Sequence, residues 1–183
     1  MTPGLPPWRR ALRTLRATAS DPLPRSDTET LAALAARLDA TARTRLGRSL
    51  ALRHVDTGSC AGCELELRAL TGVVYDLQRY GLSFVTSPLH ADVLVVTGPL
   101  TRSLQEALEQ AWSATPDPKW VVAVGDCAVD GGVFKGSYAV LGGVGTAVPV
   151  DLVIAGCPPH PADLLAGLRA LLQANARSQI SRG

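Results

Sequence analysis

From residue 50 onward, apolar positions fall in short runs separated by stretches with helical spacing. The runs at 50–55, 82–86, 93–97, 120–124 and 152–155 read as strands, several of them rich in β-branched residues. Between them, Leu65, Leu67 and Leu70 suggest a helix leading away from a polar, glycine-containing loop. Leu104, Leu108, Ala111 and Trp112 mark a helix after Gly98-Pro99. Leu164, Leu165, Leu168, Leu171 and Leu172 mark one opened by Pro161. Continuous apolar runs, as opposed to alternating ones, belong to strands covered on both faces. Their alternation with helices predicts an α/β fold with a mostly parallel sheet. No internal repeat is apparent. The stretch 128–149 breaks the pattern and carries Gly131, Gly132, Gly136, Gly142, Gly143 and Gly145. An insertion of that length usually marks function. Gly143-Val144-Gly145 begins like a nucleotide fingerprint, but Val148 stands where the third glycine is required. No phosphate-loop sequence occurs either, so both nucleotide readings are rejected.

The first 50 residues have another character. Trp8, Leu12 and Leu15 share one helical face, with Arg9, Arg10, Arg13 and Arg16 on the others and Pro6-Pro7 ahead of them. Such a short basic amphipathic helix suits a membrane surface or a partner groove; a solvated terminus and a transit segment are the alternatives. Ser26 and Glu29 form a capping-box pattern, and Leu31, Leu34 and Leu38 follow at helical spacing. The division expected is a basic, partly helical arm over 1–47 and an α/β body over 48–183.

Composition narrows the classes. The chain has 183 residues, 46% of them hydrophobic and 4% aromatic, so a core built from Ala, Val and Leu is within reach. Net charge is +2, and aromatic residues are too few for a base-stacking surface, so no nucleic-acid partner is expected. The charge is split: nine arginines face four acids in residues 1–50, and nine basic residues face twelve acids in the rest. A basic arm therefore precedes a mildly acidic body, the pattern of a docking segment. No apolar run reaches membrane-spanning length, and no apolar core follows the first arginines, so neither a spanning helix nor a secretory signal is expected. A reducing compartment then disfavours disulfides.

Four cysteines are present, Cys60, Cys63, Cys127 and Cys157. Each of three predicted strands is followed by a cysteine or a cysteine pair. In a parallel sheet the carboxyl ends lie on one edge, where ligands bind, so the four thiols are expected to converge there. Cys60-Ala-Gly-Cys63 offers two ligands from one turn, with Gly58 and Gly62 giving room and Thr57 and Ser59 offering hydroxyls. Pro158 stiffens the chain after Cys157. Four thiolates suit a 4Fe-4S cluster or zinc. A thioredoxin-type pair leaves Cys127 and Cys157 without a role.

The string from Asp56 through Cys60-Ala-Gly-Cys63 to Glu66 resembles the proximal-cluster loop of the small subunits of group 4 membrane-bound NiFe hydrogenases and formate hydrogenlyases. Gly125-Asp-Cys-Ala128, Gly131-Gly132, the segment 136–140, the segment 149–152 and Gly156-Cys-Pro-Pro159 with Pro161 follow in matching order. The likeness covers roughly residues 48–173 and extends to the related B-type subunits of NADH-quinone oxidoreductases. It implies a flavodoxin-like fold, with helices on both faces of the sheet, and one 4Fe-4S cluster on Cys60, Cys63, Cys127 and Cys157.

The quinone-oxidoreductase branch typically carries adjacent cysteines in the first loop. Gly62 precedes Cys63 here, which favours the hydrogenase branch. The resemblance implies an electron-transfer subunit that serves a NiFe-type large subunit, with a ferredoxin-like iron-sulfur subunit and membrane-arm subunits as further partners. Its place would be peripheral, on the cytoplasmic face of the inner membrane. Hydrogen chemistry would occur on the large subunit. Glu66 matches a family acid three places after the second cysteine and is a candidate for proton movement, with a helix N-terminal charge as the alternative. His160 is read as a donor near the cluster or a solvated loop residue. Asp126 is read as orienting the Cys127 loop or capping a turn. The rival readings are a component of a complex-I-type quinone oxidoreductase and a zinc-stabilised interaction module.

Overall fold

A computed structural model describes residues 50–168. The 1–47 arm with its two expected helices, and Leu171 and Leu172, lie outside the described residues.

The strands are β1 (Leu50–Asp56), β2 (Leu82–Phe84), β3 (Val93–Thr97), β4 (Leu100–Thr101), β5 (Trp120–Val124), β6 (Val140–Gly142) and β7 (Leu152–Ile154). The helices are α1 (Gly62–Ala69), α2 (Gln105–Ala114), the short α3 (Asp126–Asp130) and α4, which begins at residue 161. Five strands form one parallel sheet in the order β2-β1-β3-β5-β7. That is the flavodoxin-like order, in which the direction of strand addition reverses between β1 and β3.

The continuous apolar runs behave as expected of doubly covered strands. All five residues of β3 are buried. Val93 and Val95 point to one core with Leu67 of α1, Leu70 just past its end, and Leu164, Leu165 and Leu168 of α4. Leu94 and Val96 point to the other, with Leu108 of α2, Ala128 of α3, Val144 and Val148. The period of two along each strand thus feeds both faces at once.

Three details differ from the sequence-based expectation. The expected stripe on α1 is broken, because Leu65 is 61% exposed while Leu67 and Leu70 are buried. Residues two apart on a helix lie on different faces, so Leu65 and Leu67 cannot share one. The run at 82–86 yields only three strand residues. The glycine-rich insertion, for which the sequence predicts no element, holds a strand. Its β6 pairs antiparallel with β4, and short helical turns fill the rest.

Candidate metal centre at the carboxyl edge of the sheet

β1, β5 and β7 run parallel, so the segments that leave their carboxyl ends share one edge. Cys60 lies four residues past the end of β1, and Cys63 is the second residue of α1. Cys127 is the second residue of α3, directly after β5, and Cys157 lies three residues past β7. All four are free thiols; Cys60 and Cys157 are exposed, Cys63 and Cys127 half-buried.

The two half-buried thiols are shifted. Burial pushes the Cys63 thiol up to about 11, and Cys127, Cys60 and Cys157 each add to the rise. Cys127 is raised as well, first by burial and then by Cys157. Bringing four thiolates together without a cation is therefore unfavourable, and a bound cation would reverse that by displacing the protons.

The backbone around them is shaped to the sulfurs. A Cβ added at Gly125 would stand 2.6 Å from Cys63 Sγ, and one at Gly132 would stand 2.8 Å from Cys127 Sγ. Neither position admits a side chain. Gly58 and Gly62, expected to make that room, do so less directly. Gly58 is crowded by Thr101, and a Cβ at Gly62 would be 3.6 Å from Cys60 Sγ, an ordinary contact.

The first loop is held from two sides. Asp56 Oδ1 accepts from the amides of Gly58 (3.0 Å) and Ser59 (2.7 Å). Thr101 Oγ1 donates to the Thr57 carbonyl at 2.9 Å. The Thr57 hydroxyl is buried and donates to the carbonyls of Thr97 (2.9 Å) and Gly98 (3.0 Å), so it is committed away from the thiols. Ser59 Oγ instead accepts from the Ala61 amide at 3.2 Å, which leaves its proton for another acceptor.

Among the described residues, no three or more His, Cys, Asp or Glu side chains are gathered to hold a metal ion. Four sulfurs on one zinc would stand only about 3.8 Å apart, from a Zn–S bond of about 2.3 Å and tetrahedral angles.

Glu64, not Glu66, is the acid in the first turn of α1, and it pairs with Arg68 at 2.9 Å. Glu66 is half-buried and makes no hydrogen bond or ion pair with another described residue. His160 is exposed, and its Nδ1 accepts from the Ala162 amide at 3.2 Å at the start of α4. That is a capping role. His54 sits in β1 with Nε2 2.8 Å from Thr97 Oγ1, and burial holds its pKa below the ordinary 6.5. Asp126 joins the Cys127 segment to the Cys157 segment through two contacts with Gly156, each 2.9 Å. Its position before a cysteine is the only sequence signal for that role.

Residues 60–171 match the family described as NADH ubiquinone oxidoreductase, 20 Kd subunit. The chain is 40% identical over 151 residues to formate hydrogenlyase subunit 7 of Escherichia coli (strain K12), spanning 82% of this chain and 58% of that protein. It is 41% identical over 132 residues to a probable membrane-bound hydrogenase subunit, mbhJ, of Pyrococcus furiosus, spanning 72% of this chain and 79% of that one. Among solved structures it resembles a chain of the membrane-bound sulfane sulfur reductase, an archaeal respiratory membrane complex. The TM-score is 0.63 at 31% identity, over 76% of this chain and 75% of that one.

Proposed function

Since this chain belongs to the family of NADH ubiquinone oxidoreductase 20 Kd subunits, we propose that it is the electron-transfer subunit of a membrane-associated hydrogenase or formate hydrogenlyase. The family relationship makes it an oxidoreductase subunit of complex-I-like assemblies. The finer reading is one 4Fe-4S cluster held by Cys60, Cys63, Cys127 and Cys157. The observation that carries it is the set of four free thiols on the segments that leave the carboxyl ends of β1, β5 and β7, with the space beside Gly125 and Gly132 taken by the sulfurs of Cys63 and Cys127.

A 4Fe-4S cluster supplies one-electron relay at a potential set by charge and hydrogen bonds near its sulfurs. The chain's own residues do the rest. Helices α1 and α3 present Cys63 and Cys127 from their first turns. Cys60 and Cys157 lie at the surface, so a partner's redox centre can approach from that side. Leu65, Val133 and Tyr138 are exposed apolar residues on the segments that follow Cys63 and Cys127, a composition suited to a subunit contact. The partner on that side is read as a NiFe-type large subunit, with a ferredoxin-like iron-sulfur subunit as donor and membrane-arm subunits completing the assembly. Glu66, half-buried on α1 and unengaged among the described residues, is the residue proposed to carry protons near that contact. No helix among the described residues is long and apolar enough to cross a membrane, which fits peripheral attachment, proposed at the cytoplasmic face.

A second reading has its own support. The likeness to a chain of a sulfane sulfur reductase complex fits a partner whose large subunit has lost its NiFe site and reduces sulfur compounds instead. The complex-I-type reading is weakened by Gly62, which stands before Cys63 where adjacent cysteines are typical. The complex captured through a tag on this chain decides between the first two. Hydrogen turnover by the complex, lost in Cys127→Ser and absent from the isolated chain, supports the hydrogenase reading. Turnover of polysulfide without hydrogen supports the second, and hydrogen turnover by the isolated chain contradicts both.

A further inference from the structure

Asp126 and Gly156 are the residues immediately before Cys127 and Cys157, and they are bonded to each other twice. β5 and β7 pair in parallel register, ending at Val124 opposite Ile154. The ladder then continues beyond both strands. The Gly125 amide donates to the Ile154 carbonyl at 2.8 Å, and the Asp126 amide donates to the Gly156 carbonyl at 2.9 Å. There the chain turns into α3 and its backbone carbonyls are drawn into helical bonds. The next rung is made by a side chain: the Gly156 amide donates to Asp126 Oδ1 at 2.9 Å.

Side-chain rungs of this kind occur elsewhere in the sheet, at its opposite edge. Asp92 Oδ2 accepts from the Ala51 amide where β1 and β3 begin, and Asp151 Oδ2 accepts from the Val121 amide where β5 and β7 begin, each at 2.9 Å. Those two acids close strand starts. Asp126 differs in place and exposure. It lies on the surface at the carboxyl edge, one bond from Cys127, and its acceptor oxygen holds the peptide that leads into Cys157. Gly125, which precedes it, is the residue against which Cys63 Sγ packs. One reciprocal pair therefore ties together the segments that deliver Cys127 and Cys157, and Cys63 Sγ packs against the glycine next to it.

We propose that Asp126 is a positioning residue for the metal centre: its carboxylate sets the separation of Cys127 and Cys157, and its negative charge holds the potential of the group between them down. This rests on the reading that the four cysteines hold a cluster. A carboxylate beside a cluster disfavours the extra electron of the reduced form, so its removal moves the midpoint potential to more positive values.

The test uses the full chain purified anaerobically as wild type, Asp126→Asn and Asp126→Ala, with iron release to a chelator and EPR-monitored redox titration as readouts. Asp126→Asn keeps an acceptor oxygen and loses the charge; Asp126→Ala loses both. Iron release is expected to be about fivefold faster in Asp126→Ala and within about twofold of wild type in Asp126→Asn, the scale of one exposed hydrogen bond. Both variants are expected to titrate at a more positive potential. Equal release from Asp126→Ala and wild type overturns the positioning role, and unchanged potentials overturn the electrostatic one. If Asp126→Ala does not fold, Asp126→Asn decides alone: wild-type release with a raised potential supports the proposal, and any other result overturns it. Zinc in place of iron in the wild type contradicts the cluster reading only, and release of that metal then judges the clamp. A wild-type chain without metal overturns both.

Discussion

Gly125→Ala separates the chemistry of the thiols from the space they need. The variant keeps all four cysteines, yet its methyl group would meet Cys63 Sγ at 2.6 Å, at a position whose φ of +87° already disfavours a side chain. We expect iron content to fall by more than half in anaerobically purified protein; wild-type content would mean that the sulfur does not occupy that space. His54 gives a second residue-level expectation. Burial holds its folded pKa below 6.5, while the unfolded chain keeps the ordinary value. The unfolded state then binds more protons between those two values, so stability is fully present above pH 6.5 and is lost as pH falls through the window beneath it. Chemical denaturation across that range should show the fall in wild type and a flatter profile in His54→Gln. Parallel profiles would place the acid sensitivity elsewhere.

At the scale of elements, the strands were the most legible part of the sequence. The runs at 93–97 and 120–124 coincide with β3 and β5 because a strand buried on both faces needs apolar residues at every position. The placement of the cysteines after β1, β5 and β7 followed from the same runs. The pairing of β4 with β6 was not legible, since two and three residues carry no periodicity. Nor was the role of Gly143. Its place in a partial nucleotide fingerprint was only a spelling. In the fold it lets the insertion lie against α3, where an added Cβ would meet the Val129 carbonyl oxygen. Gly143→Ala should push that segment off α3 and lower stability by about 1–3 kcal/mol, as overpacking does. Because Cys127 stands on α3, metal should also be lost faster. A thermal scan with parallel iron analysis checks both, and unchanged values would show that the contact yields freely. The committed hydroxyl of Thr57 was likewise hidden, because its acceptors at Thr97 and Gly98 are about forty residues away in sequence.

The described residues form a doubly wound sheet with a cysteine-bearing carboxyl edge. The chain's alignment spans 58% of the length of the Escherichia coli relative, so what that longer protein does beyond the shared part does not transfer to this chain. The basic residues concentrated in 1–50, set against the mildly acidic remainder, point to a docking role for the arm. The membrane and the partner subunits concern the assembly, whereas the proposed metal centre concerns this chain alone. The full chain, purified anaerobically and assayed for iron, acid-labile sulfide and zinc, with EPR of the reduced protein, tests it most directly. The expected result is about four iron and four sulfide per chain with the signal of one reduced 4Fe-4S cluster; stoichiometric zinc without iron would contradict it.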